Sequence, residues 1–432
     1  MKKDQMMEKV MSFAMKVQQN KYLSAISTGL MGTLPILMIG SIALLLAVLP
    51  IDAYKEFITN IGLRSFLMLT STLTTSIIAL YSSFAIAYRL AEKFKVEPMI
   101  PGVLAVLCFF MITPMVSAEV NGVAGSYLDT NMLGAKGLFT AMIVSLISCR
   151  LYCYFMEGKK LTIKMPAGVP PVIANSFAGL LPAIVVAILF MLVAWGFSFT
   201  SYGSMAQFIY SVISMPLEHL SSSMWSMVFI VFIQMILWFF GLHGSLVVQS
   251  FITALYLPMD TANMDALAAG VTNSELPNIL GKTFYSCFAG IGGAGGTLSL
   301  VILMFIMSKS KKNKALANLA IVPGCFTINE PIVFGYPLIL NPIMAIPFIT
   351  VPLIQVIVAY ASIAVGICPR LSGVQVPFGM PVVVGGFIAG GWKIAVLQVV
   401  LVLIGIAIYY PFFKISDKQA VAQEMGEIST EE

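Results

Sequence analysis

The sequence predicts an all-α integral membrane protein of about ten transmembrane helices, with a re-entrant segment and both termini in the cytoplasm. Composition identifies the solvent. Of 432 residues, 59% are hydrophobic and only 10% charged, with a mean hydropathy of +0.94, whereas a soluble domain carries about a quarter charged residues. Spacing identifies the helices, because apolar stretches near the roughly 20 residues that cross a bilayer recur along the chain. Charge gives the orientation. Eighteen of the 24 lysines and arginines fall in residues 1–21, 89–95, 150–164, 309–314 and 414–418. The other six, Lys55, Arg64, Lys136, Lys282, Arg370 and Lys393, occupy the alternate loops. The positive-inside rule then places both termini in the cytoplasm and works with ten crossings.

Residues 1–21 come first and are amphipathic, with Met7, Val10, Met11, Phe13, Ala14 and Val17 spaced for one helix face. A helix lying in the membrane interface is expected there. Met1 to Asn20 is polar and does not read as a cleavable signal peptide. Apolar spans follow at 26–49, 66–87, 100–116, 138–156 and 177–199, then at 224–240, 245–257 and 284–307. The last group is 342–366, a piece at 374–390 broken by glycine and proline, and 392–412. At about 13 residues, 245–257 is short for a crossing. The chain thus divides into N-terminal helices (1–165), a link with the fifth helix (166–223), a C-terminal half carrying the broken segments (224–416) and an acidic tail (417–432).

The stretch 328–342, INEPIVFGYPLILNP, is the most informative. Glu330 is the only carboxylate side chain between Glu275 and Asp417, and Pro331, Pro337 and Pro342 prevent an uninterrupted helix. Broken backbone at membrane depth is tolerated where it is buried in protein or lines a cavity. An acid placed there marks a functional site. Basic residues flank only the start of 315–341, so charge placement requires this segment to enter from the cytoplasm and return. Glu330 is expected to be a buried carboxylate able to accept from two hydroxyls at once.

His243, one of two histidines, lies in WFFGLHGS (238–245) with glycines on both sides. It offers a donor and an acceptor beside the aromatic face of Trp238, a pairing that suits a sugar. His219, next to Glu218, reads as a solvated surface pair. Arg370 and Lys393 read as snorkelling side chains. Asn175 and Ser176 close the proline-led run 168–177 and are good N-capping types for the fifth span. The Gly292–Gly296 run lacks the Lys-Ser/Thr of a phosphate loop and reads as close helix packing.

The six cysteines lie in or beside apolar segments without a CxxC pair, and the histidines are far from them. They read as packed small hydrophobes, with no metal and no cofactor expected. No Walker motif or Ser-His-Asp order is present, which argues against an ATP-driven pump within this chain. The net charge of +5 is modest, and no nucleic-acid partner is expected.

Asn329-Glu330-Pro331-Ile332-Val333-Phe334-Gly335 with Asn341-Pro342 resembles the signature of enzyme IIC of the phosphoenolpyruvate-dependent sugar phosphotransferase system, in its lactose/cellobiose/N,N'-diacetylchitobiose branch. Gly241-Leu242-His243-Gly244 and the run from Pro170 to Phe177 resemble the same branch, in the same order. The resemblance implies a multi-pass protein of the bacterial plasma membrane with ten spans and two re-entrant hairpins. It implies a homodimer formed by the N-terminal half, and a C-terminal half that carries a β-linked disaccharide. Sugar contacts would fall on Asn175, Trp238, His243 and Glu330, with Glu330 and His243 near the hydroxyl that receives phosphate. The donor would be a cysteine of a separate enzyme IIB, itself charged by IIA. An ion-coupled secondary transporter of an unmodified solute is the alternative, resting on the generic features of a buried acid, a histidine and broken helices. A receptor or scaffold without transport leaves Glu330 unexplained.

Overall fold

The computed structural model describes residue 16 and residues 19–49, 51–120, 123–158, 161–163, 177–336, 338–377 and 379–426. Most of the N-terminal amphipathic stretch, Asn175 and the end of the acidic tail lie outside the described residues. Among those described, six helices are long and apolar enough to cross a membrane, at 21–48, 63–93, 135–157, 180–198, 342–364 and 392–424. The number is seven if Met205–Ser221 and Met224–Phe239 are one broken span, and Met99–Ile112 and Ala294–Met307 are shorter apolar helices. The chain forms two compact units, one of residues 19–220 and 253–269, the other chiefly of 221–252 and the residues after 269.

In the first unit, the Asn20 side chain accepts the N–H groups of Tyr22 (3.0 Å) and Leu23 (3.1 Å). It thereby satisfies two donors left open at a helix start, and α1 (Lys21–Gly32) follows. Pro35 then opens α2 (Leu34–Val48) in its first turn, where a missing N–H is harmless. Next come α3 (Asp52–Asn60), α4 (Leu63–Thr72), α5 (Ile78–Lys93), α6 (Met99–Ile112), α7 (Leu138–Glu157), α8 (Leu180–Ser198) and α9 (Met205–Ser221). The centre is α5, around which α1, α6 and α7 pack. Its buried face, Ala79, Ser82, Ser83, Ile86, Ala87 and Ala91, is mostly small, which lets backbones approach closely. A Cβ on Gly29 of α1 would lie 2.7 Å from the Ile86 Cα. From α7, Ser145 Oγ donates to the Ser83 carbonyl (2.9 Å) and Cys149 Sγ to that of Ala87 (3.3 Å).

One element departs from the all-α expectation. Strand β1 (Met115–Val120) pairs antiparallel with β2 (Val123–Leu128), Val120 opposite Val123. The intervening sequence is Asn121-Gly122, the dipeptide that favours a two-residue hairpin.

The second unit is built on α10 (Met224–Phe239), the first turns of α11 (Gly244–Ala268), α12 (Lys282–Phe288), α13 (Thr297–Met307), α14 (Lys311–Cys325), α15 (Glu330–Gly335), α16 (Pro342–Ala364), α17 (Val382–Gly390) and α18 (Trp392–Glu424). Helix α16 packs against α10 and α18, and α18 against α13 and α17. Gly405 of α18 has no room for a Cβ, which would fall 2.3 Å from Ser299 Oγ of α13.

Four sequence expectations change. The span at 284–307 is broken: glycines 292, 293, 295 and 296 all take positive φ between α12 and α13, and close packing occurs there without a continuous helix. A Cβ on Gly293 would lie 2.4 Å from Asn329 Cγ, and one on Gly295 2.3 Å from Phe348. The short run at 245–257 continues as α11 through Ala268, carrying buried Asp260, Thr261 and Asn263. The 374–390 piece, by contrast, is broken as its glycines and prolines predicted, with only 382–390 helical. Residues 417–424, assigned to a tail by composition, extend α18 because Asp417 and Glu424 find main-chain and hydroxyl donors. Arg370 does not snorkel freely either, since its guanidinium donates to the carbonyls of Leu276 and Pro277.

Candidate functional site

Helix α10 ends in a Schellman turn. The Leu242 N–H donates to the Leu237 carbonyl (3.0 Å) and the Gly241 N–H to that of Trp238 (3.0 Å), with Gly241 at φ +80°. Leu242 packs against Leu237, the apolar contact that accompanies this turn. Glycine at 241 is thus a helix terminator. Gly244 has a different reason: a Cβ there would lie 2.1 Å from the Gln234 carbonyl and 2.9 Å from Trp238 Cδ1. Its absence lets the start of α11 fold back onto α10.

His243 sits between them as the N-cap of α11. Its Nδ1 accepts the Leu246 N–H (3.3 Å), while its carbonyl accepts from Leu246 (3.0 Å) and Val247 (3.4 Å). An acceptor at Nδ1 assigns the neutral ring's proton to Nε2. The sequence reading gave His243 both a donor and an acceptor for a ligand. The structure uses the acceptor in the cap and leaves Nε2–H on an exposed side chain. The imidazole rests on Trp238, ring centroids 4.3 Å apart at 46°.

Trp238 is itself buried, 3% exposed, with Nε1–H donating to Ser245 Oγ (3.1 Å). Gln234 Nε2 donates to the same oxygen (3.0 Å), and Gln234 Oε1 accepts from Tyr285 OH of α12 (2.7 Å). Trp238 is therefore a fixed support beneath His243 and presents no open aromatic face. Gln234, Ser245 and Tyr285 were missed by the sequence reading. Their only local signal was polarity inside apolar runs.

Glu330 is the first residue of α15. Before it, the Phe326 and Ile328 N–H groups return to the Pro323 carbonyl (2.9 and 3.0 Å), and Thr327 takes φ +63°. Buried Asn329 anchors this tip, its Nδ2 donating to the Ala294 carbonyl (3.0 Å) in the glycine-rich break. Gly335, at the far end of α15, faces Leu316 in the second turn of α14: a Cβ would lie 2.6 Å from Leu316 Cδ1. Helices α14 and α15 therefore form a hairpin with Glu330 near its tip. Glu330 is exposed, which corrects the expected burial. Proline at the second helical position and an anchored asparagine turn its side chain away from the packed interior.

The chain then returns to the His243 turn. The Leu340 N–H donates to the Phe239 carbonyl (3.0 Å), and the Gly241 position lies against Ile339 (3.5 Å). Asn341 closes the segment as N-cap of α16, accepting from Ile343 and Met344 (2.9 and 3.2 Å). The structure thus brings Trp238 and His243 into contact and joins their turn to the strand of chain that follows the Glu330 hairpin. Among the described residues Glu330 and His243 share no hydrogen bond or ion pair, and both side chains are exposed. Of the four expected sugar contacts, Asn175 lies outside the described residues.

The family described as "Phosphotransferase system, EIIC" matches residues 27–352. The cellobiose-specific EIIC component of Geobacillus stearothermophilus is 36% identical, over 97% of this chain and 95% of its own length. The lactose-specific EIICB component of Staphylococcus aureus is 30% identical, over 97% of this chain and 73% of its own. Among solved structures, the transporter ChbC, the IIC component of the N,N'-diacetylchitobiose-specific phosphotransferase system, superimposes with a TM-score of 0.89 at 36% identity, over 96% of this chain and 98% of that one. With three quarters of its length matched by the family and relatives at 36% and 30% identity aligned over 97% of it, the chain belongs to the EIIC family of sugar permeases of the phosphotransferase system.

Proposed function

We propose that this EIIC permease takes up a β-linked disaccharide of the cellobiose, chitobiose or lactose class across the bacterial plasma membrane and presents it to a phosphorylated IIB protein. The observation that carries this reading is that one unit exposes both His243, its Nδ1 used in a helix cap, and Glu330, next to the anchored Asn329. One is a donor and the other an acceptor, the complement of a sugar hydroxyl. The names of the relatives supply the sugar class, and the fused EIICB relative supplies the nature of the partner.

In the proposed reaction the sugar hydroxyl attacks the phosphorus of a phosphocysteine on IIB. The O–P bond forms, the S–P bond breaks, the thiolate leaves, and Glu330 takes the hydroxyl proton. His243, protonated at Nε2 and capped at Nδ1, holds the hydroxyl oxygen as a donor. Such transfer is mainly positioning and charge stabilisation. Trp238 acts through His243, and Asn175 contacts the sugar. Ten crossings with both termini cytoplasmic, a homodimer through the N-terminal helices, a sugar-carrying half within 224–416 and charging of IIB by IIA complete the proposal.

The test is sugar phosphorylation in membrane vesicles supplied with phosphoenolpyruvate, the general phosphotransferase proteins, IIA and IIB, across a panel of β-disaccharides. Phosphorylated product from one sugar, lost in Glu330→Gln and His243→Ala, is expected. Undiminished phosphorylation in Glu330→Gln with sugar binding retained would rule out the base assignment. No product from any sugar, with uptake that collapses on adding a protonophore, would favour the ion-coupled transporter.

A further inference from the structure

The lysines at the start of α14 sit at an electrostatically unfavourable place. Lys311, Lys312 and Lys314 occupy its first turn, with Lys309 just before it. Cations at this positive end of a helix cost about 0.3–1 kcal/mol each at low ionic strength. The cost is offset by two carboxylates from the far end of α18. Glu424 accepts from the N–H groups of Lys311 (3.1 Å) and Lys312 (2.9 Å) and from Ser310 Oγ (2.7 Å). Asp417 accepts from the Lys309 N–H (2.8 Å), Ser308 Oγ (2.6 Å) and Asn313 Nδ2 (2.9 Å). The main-chain donors are thereby satisfied, while the lysine side chains, with that of Lys418, stay exposed and form no salt bridge among the described residues.

This surface is continuous with the Glu330 hairpin. Tyr336, just past α15, donates to Ser416 Oγ (2.8 Å), the residue before Asp417. Leu316, one turn beyond Lys312, faces Gly335. Along α14 (Lys311–Cys325), Lys311 and Lys312 lie near the end opposite the tip, so they stand roughly 20 Å along the helix axis from the tip that carries Glu330.

We propose that the lysine-bearing start of α14, clamped by Asp417 and Glu424, is the docking surface for the phosphorylated IIB protein. The proposal rests on the phosphotransferase reading above. A positive-inside signal requires lysines only in a loop. Here they open the same hairpin that carries Glu330, in a turn whose backbone donors are already taken, so what is offered outward is positive charge. A phosphoryl group carries about two negative charges near neutral pH, and lysine binds phosphate as a mobile point charge. Charge of this kind governs encounter rate and salt dependence more than the chemical step.

The test uses the full chain in liposomes, with phosphorylated IIB varied in concentration at several salt concentrations. The K311Q/K312Q variant should raise the half-saturating IIB concentration about tenfold and flatten its salt dependence, with K311E/K312E raising it further. Sugar binding without IIB and the rate at saturating IIB should remain those of the wild type, which also shows that the variants fold. An unchanged half-saturating concentration in both variants overturns the docking surface. So does a shift found only in liposomes containing anionic lipid and absent in neutral ones, which would assign the lysines to headgroups. Failure of the wild type to phosphorylate any sugar overturns the phosphotransferase reading, and the docking surface with it.

Discussion

The two units treat their buried polar side chains differently. In the first, hydroxyls mostly return to their own helix: Thr113 to Phe109, Thr75 to Ser71, Ser41 to Met38. In the second, side chains reach carbonyls on other elements. Asn329 reaches Ala294, Tyr409 reaches Gly295 (2.7 Å), Gln398 reaches Cys287 (2.9 Å) and Ser299 reaches Val402 (3.0 Å). Backbone breaks account for two of these, because a break releases carbonyls that a membrane interior cannot solvate, and Asn329 and Tyr409 satisfy those of Ala294 and Gly295 in the glycine-rich break. The Asn329 bond anchors the Glu330 tip, and the His243 turn is tied to the chain after the hairpin by the Leu340 N–H on the Phe239 carbonyl.

Glycine substitution should separate the units most sharply. Gly295→Ala places a methyl 2.3 Å from Phe348 at φ +80°, combining overpacking with a left-handed strain. Loss of folded protein, or a cost above about 3 kcal/mol, is expected in thermal unfolding in detergent. Gly32→Ala, which meets nothing within 4 Å at the end of α1, should change stability by no more than about 1 kcal/mol. Equal shifts would break the comparison.

The next test divides the two nitrogens of His243. Asparagine is a good N-cap, so His243→Asn should keep stability within about 1 kcal/mol while lowering sugar phosphorylation about a hundredfold, the size of a lost positioned donor. His243→Ala should lose both. Activity retained in His243→Asn would remove Nε2–H from the mechanism.

Asn329→Ala leaves the buried Ala294 carbonyl without its side-chain donor, and a cost of about 1–3 kcal/mol follows. Ser145→Ala in the first unit removes a donor from a carbonyl within a helix and should cost less than about 1 kcal/mol. A calorimetric or denaturant comparison of the pair measures how much more the broken unit depends on crossing bonds. A modest effect is expected for Trp238→Phe, which preserves an aromatic support but loses the bond to Ser245. About 1 kcal/mol of stability and a few-fold rise in half-saturating sugar should result.

Much of this architecture was legible because its signals are local. Proline announced the break at 328–342 and hydropathy the long helices, whereas the glycines at 292–296 had read as helix packing and the break they make there was not foreseen. The β1–β2 hairpin was passed over, although Asn121-Gly122 between two Val-bearing runs signals one. The extent of α11 was also misread, since buried Asp260 and Asn263 lower its hydropathy without ending its helix. In the site, Trp238 and His243 were found as neighbours in sequence. Tyr285 and Gln234, 51 residues apart, carry no mark of their partnership until the chain is folded.

The sequence alone determined the solvent, the break that proline makes at 328–342, and the isolation of Glu330 as an acid in an apolar stretch. These follow from residue type and spacing. Tertiary structure decided that Glu330 is exposed, that His243 keeps its proton on Nε2, that Trp238 supports where a platform was expected, and that Asp417 and Glu424 cap a helix more than 100 residues earlier in the chain. Each of these depends on which donor meets which acceptor across distant segments, and no local pattern encodes that pairing.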